Sequence, residues 1–379
     1  MAGSVWSVRL LGMSWGHLLN DGSANYLPGI LPALLIGLNE PVTMAGTFMA
    51  ALIFLQSLQP FSGLLAGRLG GKGLILLGLA LSAGAGALLG FAHDLWIVVA
   101  LLALIGVGNT LFHPQALAAV RALGGTGKGA RMSVFLVGGE LGRGVWPSFA
   151  SLLVVSHGLA ALWVTAVPAA LTLPLLARWA PSMPKREPTS PRIHWRGKIG
   201  PAGALVGFAS MRSLSTLGIV TFVPILWHQR GGGLVAGASI ITTLLVVGIL
   251  GNIAGGQIAD RFGLRVPMIA ASIATAGLII ALPGASGVWL WAVAGVLGIA
   301  LFSTLPMTVL IGQNIFTENH ALGSGIALGL SNAIGATALF GLSLLAARWN
   351  VATLLHGLAI VPLISALMAI ALPHERLAH

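Results

Sequence analysis

The sequence predicts an all-α membrane protein of twelve transmembrane helices, arranged as two pseudo-symmetric six-helix halves. Three observations predict it. The 379 residues are 56% hydrophobic and only 7% charged, with a mean hydropathy of +0.96, whereas a soluble domain carries roughly 25% charged residues. Twelve segments run apolar throughout, without the polar–apolar alternation of a membrane β-strand. The last six segments repeat landmarks of the first six at one spacing.

The segments cover residues 9–37, 44–67, 73–92, 96–120, 131–154, 160–180, 199–227, 234–259, 266–284, 287–312, 321–346 and 351–372. Each is long enough to cross a bilayer, some with tilt. The division that follows is an N-terminal six-helix bundle over 1–180, a cytoplasmic linker over 181–198 and a C-terminal six-helix bundle over 199–379. The linker carries four prolines and a run of basic residues ending at Lys198, the composition of an extended connector. An even number of spans puts both termini on one side. With the termini in the cytoplasm, fifteen of the nineteen Lys and Arg residues lie inside, Arg230 and Arg348 outside, and Arg143 and Arg212 within spans. That asymmetry orients the chain in a cell membrane. Trp96, Trp179, Trp195, Trp227, Trp289 and Trp349 fall near segment ends, where an interfacial aromatic belt belongs.

The repeat has an offset of 192–193 positions. Gly63 to Gly70 returns as Gly256 to Gly263, Gly106 and Pro114 as Gly298 and Pro306, Pro32 as Pro224, and Gly142 as Gly335. One offset across separate segments indicates duplication of a six-span unit. It also places Asn20 and Arg212 at equivalent points.

Charges inside spans are expensive and mark function by default. Asp21 lies ~18 Å into the first span at the rise of a helix. His17 stands four residues earlier and so shares its face, which Asn25 continues. A conformational change that moves a cation relative to a buried carboxylate converts into proton uptake or release. Asp21 is therefore a proton-coupling candidate, with a permanent hydrogen bond to a neighbouring helix as the alternative. His17 and Asp21 form either a relay or a local contact. Glu140 and Arg143 sit at i and i+3 on the fifth span. They either pair permanently, or Glu140 titrates while Arg143 meets an anionic substrate. Arg212 is ~21 Å deep in the seventh span, where a guanidinium can bind an anion or pair with Asp21. His113, beside Pro114, either titrates or bonds backbone that the proline frees.

Several of these residues carry a resemblance. Gly256 to Gly263, followed by Arg265, resembles the cytoplasmic loop signature of the major facilitator superfamily. The first copy keeps Arg68, Gly70 and Lys72 but has Gly67 where the signature has Asp. His17-Leu-Leu-Asn-Asp21, Phe112-His-Pro114, Val137-Gly-Gly139 and Arg212 resemble the fosmidomycin-resistance branch of efflux proteins in order and spacing. The fifth span departs from that branch at Leu136, Glu140, Arg143 and Trp146. The resemblance implies alternating access by the two halves around a midplane site. It implies a cavity lined by spans one, four, seven and ten, with Asn25, Arg212 and Thr304 facing substrate alongside His17, Asp21 and His113. It implies a gate built on Arg68, Lys72, Asp260 and Arg261. The activity implied is proton-coupled efflux of a small polar or anionic compound by a monomer. An importer or uniporter is the near rival, and a membrane sensor on the same fold a distant one.

Other classes fit less well. The net charge of +11 follows from topology and requires no nucleic-acid partner. Absent cysteine removes disulfides and thiolate chemistry. Gly124 to Lys128 lacks the Ser or Thr of a nucleotide loop, since Gly129 follows. No cofactor is expected. An intramembrane enzyme would need a nucleophile or metal ligands clustered on facing helices; the chain has no His/Cys/Asp array with metal spacing, and one Tyr and no Cys, so no metal site is expected.

Overall fold

The computed structural model describes residues 7–62, 70–123, 128–181 and 193–372. Among these there are helices and no strands. The helices are α1 (Val8–Asn25), α2 (Leu27–Gly37), α3 (Met44–Phe54), α4 (Gly71–Leu88), α5 (Leu95–Ala122), α6 (Lys128–His157), α7 (Val167–Trp179), α8 (Ile199–Gln229), α9 (Leu234–Phe262), α10 (Arg265–Ala281), α11 (Val288–Ser303), α12 (Leu305–Ile315), α13 (His320–Gly325), α14 (Ser331–Leu344), α15 (Val351–Leu358) and α16 (Ile360–Ile370).

Nine helical stretches among the described residues are long and apolar enough to cross a membrane, and Met44–Gln59 is a shorter tenth. The sequence count of twelve is not reached, for identifiable reasons. The first segment divides at Tyr26 because Pro28, in the first turn of α2, has no N–H to continue the hydrogen-bond ladder of α1. The second passes from α3 into a 3₁₀ stretch, Leu55–Phe61. The fifth, α6, is 30 residues long but is diluted by Lys128, Arg131, Glu140 and Arg143.

The chain divides into two compact units, Met1–Asn39 with Ala51–Thr189, and Glu40–Ala50 with Ser190–His379. The placement of Glu40–Ala50 has no counterpart in the linear division. Ser343 Oγ donates to the Thr43 carbonyl at 3.0 Å, and Gly46 lies against Ser343.

In the first unit, α1 packs most extensively on α6, and α4 on α5. Glycines permit the α1–α6 approach: a methyl at Gly138 would meet the Ser14 carbonyl, and one at Gly142 the Leu18 carbonyl. Small residues at such crossings let helix backbones close up where lipid offers no hydrophobic drive. Tyr26 fastens the end of α1 by donating to the Gly86 carbonyl at 2.6 Å. Asp94 caps α5, accepting from the Trp96 and Ile97 amides.

In the second unit, α9 packs on α11 and α8 on α14. A methyl at Gly335 on α14 would meet Ser213 on α8. Gly142 and Gly335, paired by the sequence repeat, thus each receive the first long helix of their own unit. A core of Leu205, Phe208, Met268, Met307 and Phe316 fills one end of this unit. Beside it, Lys198 pairs with Glu318 and stands over the Phe316 ring. The Lys198 hydrogen bond holds the Glu318 carboxyl below its ordinary range.

Candidate functional site

The polar centre of the first unit is built by α1, α5 and α6. His17 and Asp21 lie one turn apart on α1, with side chains 4% and 2% exposed. Asn20 beside them is fully buried. The α5 helix contributes Asn109 and His113, again one turn apart, and α6 contributes Glu140 and Arg143.

Asp21 collects the cluster. Its Oδ1 lies 3.0 Å from His113 Nε2 and accepts from Asn20 Nδ2 at 3.3 Å. Its Oδ2 lies 3.4 Å from His17 Nε2 and 3.5 Å from Arg143 Nη2. Arg143 Nη1 reaches Glu140 at 3.5 Å, so one guanidinium joins two carboxylates. Asn20 Nδ2 also donates to Asn109 Oδ1 at 2.8 Å.

Both imidazoles have a fixed tautomer. His17 Nδ1 lies 2.8 Å from the Phe135 carbonyl, and His113 Nδ1 lies 3.1 Å from the Asn109 carbonyl. A carbonyl only accepts, so each Nδ1 carries a hydrogen and donates. Each Nε2 then presents a lone pair when the ring is neutral, and the two Nε2 atoms stand 3.2 Å apart. The His17 ring is held flat on Phe135, with centroids 4.2 Å apart at 15°. A methyl at Gly139 would collide with that ring, so the Val137-Gly-Gly139 motif makes room for His17. The Asn109 carbonyl bonded by His113 Nδ1 lies one residue before Thr110, whose carbonyl is the one that Pro114 leaves without its helical donor.

The other predicted residues fall elsewhere. Asn25 turns back to donate to the Asp21 carbonyl at 2.8 Å. Arg212 is buried on α8 in the second unit. Thr304, at the junction of α11 and α12, is buried and donates to the Leu301 carbonyl. Lys72 is half-buried at the start of α4, while Asp260 and Arg261 are exposed at the end of α9. Arg68 and Gly67 lie outside the described residues.

Sequence reasoning missed Asn109 and the convergence of two histidines on one carboxylate. It also found no metal-ligand array. One ligand atom each from His17, Asp21 and His113 lie within 4.8 Å of one another. Linear spacing hid this because the histidines are 96 positions apart.

A family model described as Major Facilitator Superfamily matches residues 13–340. Among curated proteins, the chain is 26% identical to an uncharacterized MFS-type transporter, YfnC, of Bacillus subtilis, covering 95% of this chain and 91% of that one. It is 24% identical to the fosmidomycin resistance protein of Escherichia coli, covering 98% and 94%. Among solved structures, it is similar to a mutant of the nucleoside transporter NupG, with a TM-score of 0.77 and 14% identity over 96% of this chain and 98% of that one. A bacterial homolog of the human lysosomal transporter Spinster, in an inward-facing and occupied conformation, gives a TM-score of 0.78 and 12% identity, with 95% of each chain covered.

Proposed function

The chain belongs to the Major Facilitator Superfamily, and we propose that it is a proton-coupled secondary transporter that exports a small polar or anionic compound. The family makes it a multi-pass membrane transporter of small molecules. The proton coupling is our reading, and one observation carries it. The Nε2 atoms of His17 and His113 face each other at 3.2 Å while both Nδ1 atoms are committed to carbonyls. Two lone pairs at that distance repel, and one added proton turns the contact into a hydrogen bond.

Charge balance favours the same event. Ionised Asp21 and Glu140 against one Arg143 leave the buried group at −1, and one proton brings it to neutrality. Net charge in a low-dielectric interior is costly. In this account Asp21 and the imidazole pair carry the proton, Glu140 holds Arg143 in place, and Arg143 moves between carboxylates or meets an anionic substrate. Arg212, Asn25 and Thr304 are the further substrate contacts, on the second bundle or near the end of α1. Alternating access of two six-span bundles, with both termini in the cytoplasm, completes the proposal. Export rests on the likeness to the fosmidomycin resistance protein.

The test is proton movement in liposomes holding the purified protein and a pH-sensitive dye. Phosphonates, organic acids, nucleosides and cationic drugs are added singly against an imposed gradient. A substrate-dependent flux supports the proposal. Substrate uptake with no proton movement would make the protein a uniporter.

A further inference from the structure

We infer that His17, Asp21 and His113 form a binding site for one first-row divalent metal ion of the zinc class. The site uses side chains of the transport proposal but does not depend on that proposal.

The donor set is two imidazole nitrogens and a carboxylate, which suits zinc and cobalt. Magnesium and calcium prefer all-oxygen shells. The spacing fits as well. The two Nε2 atoms are 3.2 Å apart, and the Asp21 carboxylate turns one oxygen to each ring, Oδ1 at 3.0 Å from His113 Nε2 and Oδ2 at 3.4 Å from His17 Nε2. An ion with tetrahedral ligands at about 2.0–2.1 Å has ligand–ligand edges of about 3.3–3.4 Å. The two nitrogens therefore already stand near the separation a bound ion imposes, and one ligand atom each from His17, Asp21 and His113 lies within 4.8 Å of the others.

The rings are also oriented for it. A metal-bound histidine typically donates its other N–H to a carbonyl or carboxylate, which fixes the tautomer and aims the free nitrogen. His17 does so to Phe135 and His113 to Asn109. Arg143 opposes a dication, since its Nη2 lies 3.5 Å from Asp21. It has a second carboxylate in Glu140 at 3.5 Å, and its side chain is 31% exposed. It can stay with Glu140 while the ion takes Asp21. The His113 side chain is 17% exposed against 2% for Asp21, so His113 is the more accessible of these two ligands. Water completes the coordination.

The probe is Co²⁺ added to the purified full-length protein in detergent, followed by Zn²⁺. The expected result is one Co²⁺ per chain with the intense visible bands of four-coordinate cobalt, displaced by Zn²⁺ and not by Mg²⁺. His17→Gln should weaken binding by more than the roughly 10–100-fold that outer-shell changes cost. His113→Cys should add a thiolate-to-cobalt charge-transfer band. The native chain has no cysteine, so this gain of signal reports the site even if affinity falls. Weak six-coordinate bands, binding indifferent to His17→Gln, or no new band in His113→Cys would each overturn the inference. Proton flux measured with a chelator present keeps the two proposals separate: flux without metal binding defeats only this one, and metal binding without flux defeats only the transport reading.

Discussion

His17 and His113 bring their Nε2 atoms to 3.2 Å although 96 positions separate them in the chain. Each ring is pinned from behind by a backbone carbonyl, and Asp21 lies within 3.4 Å of both. The contact is thus set by three helices at once, and disturbing any of them should register at the same place.

Asp21→Asn removes the anion that two imidazoles and Arg143 share. The substitution should abolish substrate-driven proton flux. It should also destabilise the protein by about 3–5 kcal/mol, the cost of breaking a buried pair by removing one partner. Thermal unfolding in detergent, alongside the flux assay, separates the two losses. Substrate binding measured by isothermal titration should survive.

Gly139→Ala drives a methyl into the His17 ring. Overpacking of this kind costs about 1–3 kcal/mol, and here it also displaces a ring of the imidazole pair. The variant should lose transport out of proportion to its drop in melting temperature. Gly341→Ala is the matched control, because a methyl there meets open space, and it should transport normally.

The extent to which the sequence revealed all this varies by residue. His17 and Asp21 were legible because i and i+4 share a helix face. The Glu140–Arg143 pair was legible at i+3. That Arg143 also reaches Asp21, 122 positions away, was not, because helix packing and not spacing creates the contact. The same holds for His113 and Asn109. Among the elements, the long uniform spans such as α8 and α9 were clear from hydropathy. The first segment read as one span because Pro28 looked like an interior proline, whereas it starts a new helix. The helix of the fifth segment, α6, carries four charged residues, and the charges that mark it as functional also weaken its hydropathy signal.

Tyr26→Phe deletes the hydroxyl that donates to the Gly86 carbonyl. The carbonyl keeps the Leu89 amide as a donor, so the loss is that of one hydrogen bond, about 0.5–1.5 kcal/mol. The hydroxyl lies away from the imidazole pair, so thermal stability should fall while proton flux per folded molecule stays near the parent value.

Glu318 gives a pH effect of known sign. Lys198 holds its carboxyl below the ordinary range, so its contribution is fully present above the unfolded value and is lost as pH falls through the folded one. The pair is at the surface and its effect is modest. The hydrogen-exchange protection of the α12–α13 connection, taken relative to the intrinsic rate at each pH, should fall on acidification below the ordinary carboxylate range. In Glu318→Gln that acid-side change should be absent, with protection already low at neutral pH.

The most direct measurement is dye-reported proton flux in liposomes for the parent protein, Asp21→Asn and His113→Gln, with the same substrate and gradient. A substrate-dependent flux is expected in the parent and none in either variant, while isotope-labelled substrate still binds all three. Undiminished flux in His113→Gln, with intact folding, would contradict the claim that the proton is held between the two imidazoles and Asp21.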